Sequence, residues 1–184
     1  MTGDEILREL LCSLGNHVRD AVIRGRNASS AELLSAVAAE TSSDTIYQID
    51  RVSEEAIAEW LSANWPDSEP VALVMEGIEE NETPVFPKDS LSPKWVLIMD
   101  PIDGTRGIMT DKRPAWVLSA LAPIEPGAPC PRLKDLRIAA MTEIPVSKQT
   151  LCDQASAITG QGLKATRLDL VSRKTSPLTP RPSR

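Results

Sequence analysis

Six consecutive residues, Asp100-Pro101-Ile102-Asp103-Gly104-Thr105, combine two carboxylates, a hydroxyl and a backbone forced to turn. Proline fixes one backbone angle and glycine tolerates the left-handed region, so Pro101 and Gly104 predict a tight turn. Such a turn brings the carboxylates of Asp100 and Asp103 and the carbonyl of Ile102 to one side. All of these are hard oxygen donors, with no His or Cys nearby, and that chemistry points to magnesium rather than zinc or copper. The same string is also a good plain turn sequence. Its position argues for more, because it follows the apolar run WVLIM (95–99), and a second run, VALVM (71–75), also ends in an acid, Glu76.

Continuous apolar runs of this length predict strands covered on both faces. Further runs at 115–123 and 136–144 predict two more strands, separated by a Pro- and Gly-rich turn segment. Upstream, Ile6, Leu7, Leu10, Leu11, Leu14, Val18 and Val22 recur at helical spacing, with Asp4 as cap and Gly25 beyond the end. A second helix is expected over about 30–40 and a third from Ser53, where Glu54 and Glu55 precede an Ala56/Ile57/Trp60/Leu61 stripe. The segment 41–50 between them reads as turn plus short extended chain. Three helices followed by four strands give an α+β fold.

The chain has 184 residues, 41% of them apolar, enough for a real core. A net charge of −6, from 26 acidic and 20 basic residues, argues against a nucleic-acid polymer as partner, because phosphate backbones reward basic patches. Three scattered cysteines imply neither a disulfide framework nor a zinc site and fit a reducing cytoplasm. No stretch has the length or hydropathy of a membrane span. His17, the single histidine, lies at the edge of the first apolar stripe and leaves no basis for a Ser-His-Asp triad. Gly160-Gln161-Gly162 is read as a helix end, Asp111-Lys112-Arg113 as a charged turn, and residues 79–93 as an exposed acidic connection. The Pro/Ser-rich, basic segment 172–184 reads as a disordered tail after a domain over 1–171.

The D-P-I-D-G-T string, the strand-terminal Glu76 upstream and the earlier Asp44…Asp50 spacing resemble the inositol monophosphatase family, within the superfamily that includes fructose-1,6-bisphosphatases. The resemblance runs from the first helix to about Arg173. It implies the helix-plus-antiparallel-sheet N-terminal domain of the layered α/β/α sugar-phosphatase fold, with the C-terminal α/β domain missing. It also implies that Glu76, Asp100 and the Ile102 carbonyl hold one Mg2+, that Asp100 and Asp103 reach a second, and that Thr105 orients the attacking water together with Glu76. Asp50 would polarise Thr105 and support a weaker metal through water, and the amides of Gly104 and Thr105 would touch phosphate. Glu79 or Glu80 is the alternative to Glu76.

The implied activity is Mg2+-dependent hydrolysis of a small phosphorylated metabolite. Metals roughly 3.5–4 Å apart activate water, screen the phosphoryl oxygens and stabilise the leaving oxygen. The match departs from the family in three places, one of them the lysine that the family tends to place shortly before the first aspartate of the D-x5-D segment, where Ala39-Glu40-Thr41 stands here. The family's second half carries a W-D-x-A segment, and none occurs here; Thr105 is followed by Arg106-Gly107 where inositol phosphatases carry Asn-Phe, so inositol specificity is not transferred. The expectation is a truncated chain with weak catalysis alone. The alternative is a metal-binding remnant that forms homo-oligomers or pairs with another chain through surfaces the second half would cover.

Overall fold

The computed structural model describes residues 2–28, 37–40, 45–76, 78, 83–88, 90, 92–125, 127 and 130–180. In chain order the elements are α1 (Gly3–Ala28), β1 (Val37–Glu40), β2 (Thr45–Tyr47), α2 (Gln48–Asn64), β3 (Val71–Met75), β4 (Val85–Phe86), β5 (Trp95–Asp103), α3 (Thr105–Met109) and β6 (Ala115–Pro123). A 3₁₀ turn at Leu133–Asp135 precedes β7 (Ile138–Ile144), β8 (Leu151–Ile158), β9 (Gly162–Asp169) and β10 (Thr175–Pro177). The fold is α+β. Eight strands form one sheet in the order β10-β9-β8-β7-β6-β5-β3-β4.

That sheet is mixed rather than purely antiparallel, because β3 and β5 run parallel in the register Val71↔Trp95 to Met75↔Met99. The short strand β4 makes this possible by turning back on the outer side of β3. The two long helices cover one face of the sheet. Leu11, Leu14, Val18 and Val22 of α1 and Ile57 and Leu61 of α2 are wholly buried against Leu97, Val117, Leu121 and Ile144. Burial alternates along β5 and β6, as expected when only one sheet face is packed. Trp60, Trp65 and Trp95 are buried core members.

Several elements differ from expectation for identifiable reasons. The helix α1 continues through Gly25 to Ala28, and at Gly25 the missing side chain leaves room for Val52 of α2. Within the stretch 30–40, Val37–Glu40 is a strand paired with β2, since backbone pairing overrides a weak helical preference; residues 30–36, Asp44, Glu79 and Glu80 lie outside the described residues. The helix α2 starts at Gln48, not Ser53: the Ser53 hydroxyl donates to the Asp50 carbonyl inside the helix at 2.6 Å instead of capping it. Gly160 and Gly162 have φ of 79° and 82° and close the β8–β9 hairpin, so they end a strand, not a helix. Thr175–Pro177 pairs with β9, and the segment 172–184 is therefore not a disordered tail at these three residues.

The helix–sheet contact has one point of no clearance. A β-carbon added at Gly15 would collide with the Thr142 hydroxyl on β7. Overpacking of this kind costs about 1–3 kcal/mol. Gly15→Ala is therefore expected to lower the unfolding free energy by that amount, read as a lower urea midpoint with an unchanged slope; a neutral result would show that α1 is free to lift from the sheet.

Candidate functional site

The sequence places one acid after each of two apolar strands, and the parallel pairing decides where those acids go. Because Met75 faces Met99, the next residues along, Glu76 and Asp100, emerge level at the same end of the sheet. Glu76 is exposed in the turn after β3. Asp100 is half-buried, and one of its carboxylate oxygens accepts the Ile102 N–H at 3.1 Å. That bond ties the side chain to its own turn.

Beyond Asp100 the register with β6 shifts, so that Asp100 faces Leu118 and Asp103 faces Trp116. Two ladder steps on β6 thus oppose three on β5, the signature of a bulge, and bulges re-aim side chains at functional sites. Pro101 and Ile102 stay buried while Asp103 is turned to solvent. Gly104, at φ 103°, then supplies the left-handed step that starts α3.

Thr105 opens α3 and links the turn to the helical layer. Its hydroxyl lies 2.8 Å from the Ile102 carbonyl and 3.3 Å from an Asp50 carboxylate oxygen. One proton serves one acceptor at a time, and the shorter contact is to the carbonyl. With that proton committed inward, the lone pairs of the Thr105 oxygen remain to accept a hydrogen bond from outside. Asp50 reaches this position because α2 begins at Gln48 and sets it in the first turn, where the helix dipole favours an anion.

Glu54 was missed as part of this neighbourhood. Once α2 starts at Gln48, Glu54 stands one turn beyond Asp50, a spacing at which like charges repel. Burial raises its carboxyl above the ordinary range, and the Asp50 charge raises it further. The i, i+4 spacing of the two acids was visible in the sequence, but the apparent cap at Ser53 concealed it.

The donors that could hold a divalent cation are thus Glu76, Asp100, Asp103 and the Ile102 carbonyl. Among the described residues no three acidic, His or Cys side chains stand together as a group that could hold a metal ion, so the structure does not bring Glu76, Asp100 and Asp103 together as one such group. Hydrated magnesium does not need one, since it keeps several waters and binds through one or two carboxylates plus substrate phosphate. The Ile102 carbonyl has a second lone pair beyond the one that accepts from Thr105. An all-oxygen set on a bulged strand end fits such an ion. Among the described residues, no helix is long and apolar enough to cross a membrane.

Helices over one face of a mainly antiparallel sheet, with acids on adjacent parallel strand ends, define the fold of the fructose-1,6-bisphosphatase and inositol monophosphatase group. The chain belongs to the inositol monophosphatase family, whose family model matches residues 4–115. Leishmania major fructose-1,6-bisphosphatase in its holo form aligns at a TM-score of 0.61 and 14% identity, covering 95% of this chain and 52% of that one. A calcium-bound family protein from Staphylococcus aureus gives 0.58 at 17% identity, covering 90% and 52%. The extragenic suppressor protein suhB from Bartonella henselae gives 0.56 at 19% identity, covering 84% and 49%. The chain spans about half the length of these solved relatives. No curated protein sequence matches it.

The raised Glu54 carboxyl fixes the sign of a pH effect. The folded state binds its proton more tightly than the unfolded chain, so its contribution is full below about pH 4.3, the unfolded value, and is lost as pH rises through the raised folded value. Glu54→Gln should therefore melt at a higher temperature than the parent at pH 7 and show no gain at pH 4. A gain of equal size at both pH values would assign the effect to packing.

Proposed function

We propose that this chain carries the metal- and water-holding half of a Mg2+-dependent phosphomonoesterase that acts on a small phosphorylated metabolite. The observation that supports this reading best is the Asp50–Thr105–Ile102 arrangement beside the bulged Asp100–Asp103 turn. With its proton bound inward, the Thr105 oxygen keeps lone pairs with which it could accept from a water held at the neighbouring carboxylates. Family membership, and the calcium ion bound in the Staphylococcus aureus relative, support a divalent cation at these oxygens.

In this reading Glu76, Asp100, Asp103 and the Ile102 carbonyl hold Mg2+. When bound, the ion lowers the pKa of water, screens the phosphoryl oxygens and stabilises the leaving oxygen. Thr105 accepts a hydrogen bond from the attacking water and fixes its direction, with Glu76 beside it. Asp50 and the Ile102 carbonyl hold the Thr105 proton away from that water. The amides of Gly104 and Thr105 contact the phosphate. Water adds to phosphorus, the ester P–O bond breaks in line, and the departing alkoxide leaves as the alcohol after taking up a proton. The three cysteines are free, which supports a reducing cytoplasm as the setting.

The test is phosphate release from a panel of sugar and polyol phosphates, together with Mg2+ binding by calorimetry. Release should require Mg2+, vanish in chelator, and fall by about 10²–10⁴-fold in Thr105→Val, the range for loss of a group that positions or activates water. Asp103→Asn should lower release sharply, and Asp100→Asn should abolish the binding heat. Hydrolysis that persists in chelator, or binding heat unchanged in Asp100→Asn, would remove the basis of the reading.

A further inference from the structure

The turn that follows the Asp100–Thr105 string is tied down at several points, yet it presents three cations to solvent. Ile108, 1% exposed, anchors α3 in the core. The N–H groups of Lys112 and Arg113 both donate to the Gly107 carbonyl, at 3.0 and 3.3 Å, and the Thr110 hydroxyl donates to the Arg106 carbonyl at 3.0 Å. Asp111, at φ 52°, makes the left-handed step that closes the loop. Its carboxylate accepts both the backbone N–H and the hydroxyl of Ser147, in the connection between β7 and β8. The turn is thus bound to the rest of the chain as well as to itself.

The side chains of Arg106, Lys112 and Arg113 take no part in that bonding. All three residues are exposed, and none of the ion pairs among the described residues includes any of them. The acid within the turn, Asp111, is occupied by Ser147. In a chain of net charge −6, these cations stand uncompensated directly after the proposed phosphate contacts.

Local geometry sets where they stand. The Arg106 Cα is about 3.8 Å from that of Thr105, and Cα–Cβ bonds in a helical turn tilt toward its N-terminus. The Arg106 side chain therefore leans toward Gly104 and Thr105, whose amides contact phosphate in the reading above. Arg113 is brought alongside by Gly107, where an added β-carbon would meet the Arg113 β-carbon at 3.2 Å. The absence of a side chain at Gly107 lets the second arginine lie against α3.

We propose that Arg106, Lys112 and Arg113 are specificity-determining residues of this site, and that they bind a second anionic group of the substrate, a phosphate or a carboxylate, beside the phosphate that is hydrolysed. This inference rests on the phosphatase reading. In that reading the reacting phosphate is already met by Mg2+ and by the amides of Gly104 and Thr105, so the three cations exceed what one phosphate needs. Guanidinium groups present paired N–H donors that match the edge of a phosphate or carboxylate, and a backbone fixed in advance lowers the cost of ordering them. The turn also offsets, at the site itself, the repulsion that a polyanion meets on approaching an acidic chain.

Calorimetry on the full chain with Mg2+ tests this with phosphonate analogues that resist hydrolysis. The three probes are the analogues of a hexose monophosphate, of the hexose bisphosphate, and of the matching aldonate monophosphate, whose second anion is a carboxylate. The bisphosphate or the aldonate analogue should bind at least about tenfold more tightly than the monophosphate analogue, the scale of one charge-assisted hydrogen bond. Which of the two leads identifies the second group. Arg106→Gln combined with Arg113→Gln should remove most of that preference, with circular dichroism matching the parent. Lys134→Gln, which removes an exposed cation outside the turn, should leave the preference in place. Equal binding of all three analogues would overturn the proposal, and so would a preference that survives in the folded double variant. The phosphatase reading is judged separately, by phosphate release and its loss in chelator.

Discussion

One pair of strands sets the rest of this structure. In a sheet whose other pairings are antiparallel, β3 and β5 run the same way, so their C-terminal ends come out side by side. Had they been antiparallel, Glu76 and Asp100 would stand one residue beyond opposite ends of a five-residue ladder, about 20 Å apart at 3.3–3.4 Å per residue. The strand β4, antiparallel to β3 and outside it, lies between β3 and β5 in the chain, so that β5 can pair parallel to β3. Everything proposed at this strand end depends on that topology, and the bulge in β5 then turns Asp103 to solvent while its buried neighbours Pro101 and Ile102 anchor the strand.

Gathering carboxylates in this way works against folding, and the structure shows where the conflict is relieved. Asp100 is tied to the Ile102 amide, and Asp50 to the Thr105 hydroxyl and to the first turn of α2, where partial positive charge favours it. At Glu54 burial and the nearness of Asp50 outweigh the opposing pull of Arg51, and its ionisation is opposed. Electrostatic strain of this kind is characteristic of sites built to receive a cation or a reacting group. It also means that the helical layer and the sheet are coupled at the site, because Asp50 comes from α2 and Thr105 from the strand end.

Much of this was legible in the residues themselves. The apolar runs at 71–75 and 95–99, each followed by an acid, located the strands and the corner, and Pro101 with Gly104 located the turn. The relative direction of β3 and β5 was not legible, since a continuous apolar run has the same pattern whichever way it is paired. The start of α2 was misread because a serine followed by glutamates has the pattern of a cap, whereas Ser53 spends its hydroxyl on a carbonyl within the helix. The strand β10 was hidden for another reason: Thr175–Pro177 has little to bury and is held by backbone pairing to β9, which composition does not register. The Gly160/Gly162 hairpin was readable in principle, but the small residues of β8 resemble a helical segment.

The two faces of the sheet carry different instructions, and the site stands where they meet. On the helical face, clearance is so small that Gly15 cannot gain a single carbon, and bulky aliphatics fill the interior. On the other face the central residues are alanines, and the large side chains stand at the margins half in solvent. Asp100 belongs to that second face and is the direct cross-strand neighbour of Leu118 within it. The carboxylate therefore stands half-buried beside apolar side chains, where the dielectric is lower than in open water and a charge interaction grows in magnitude.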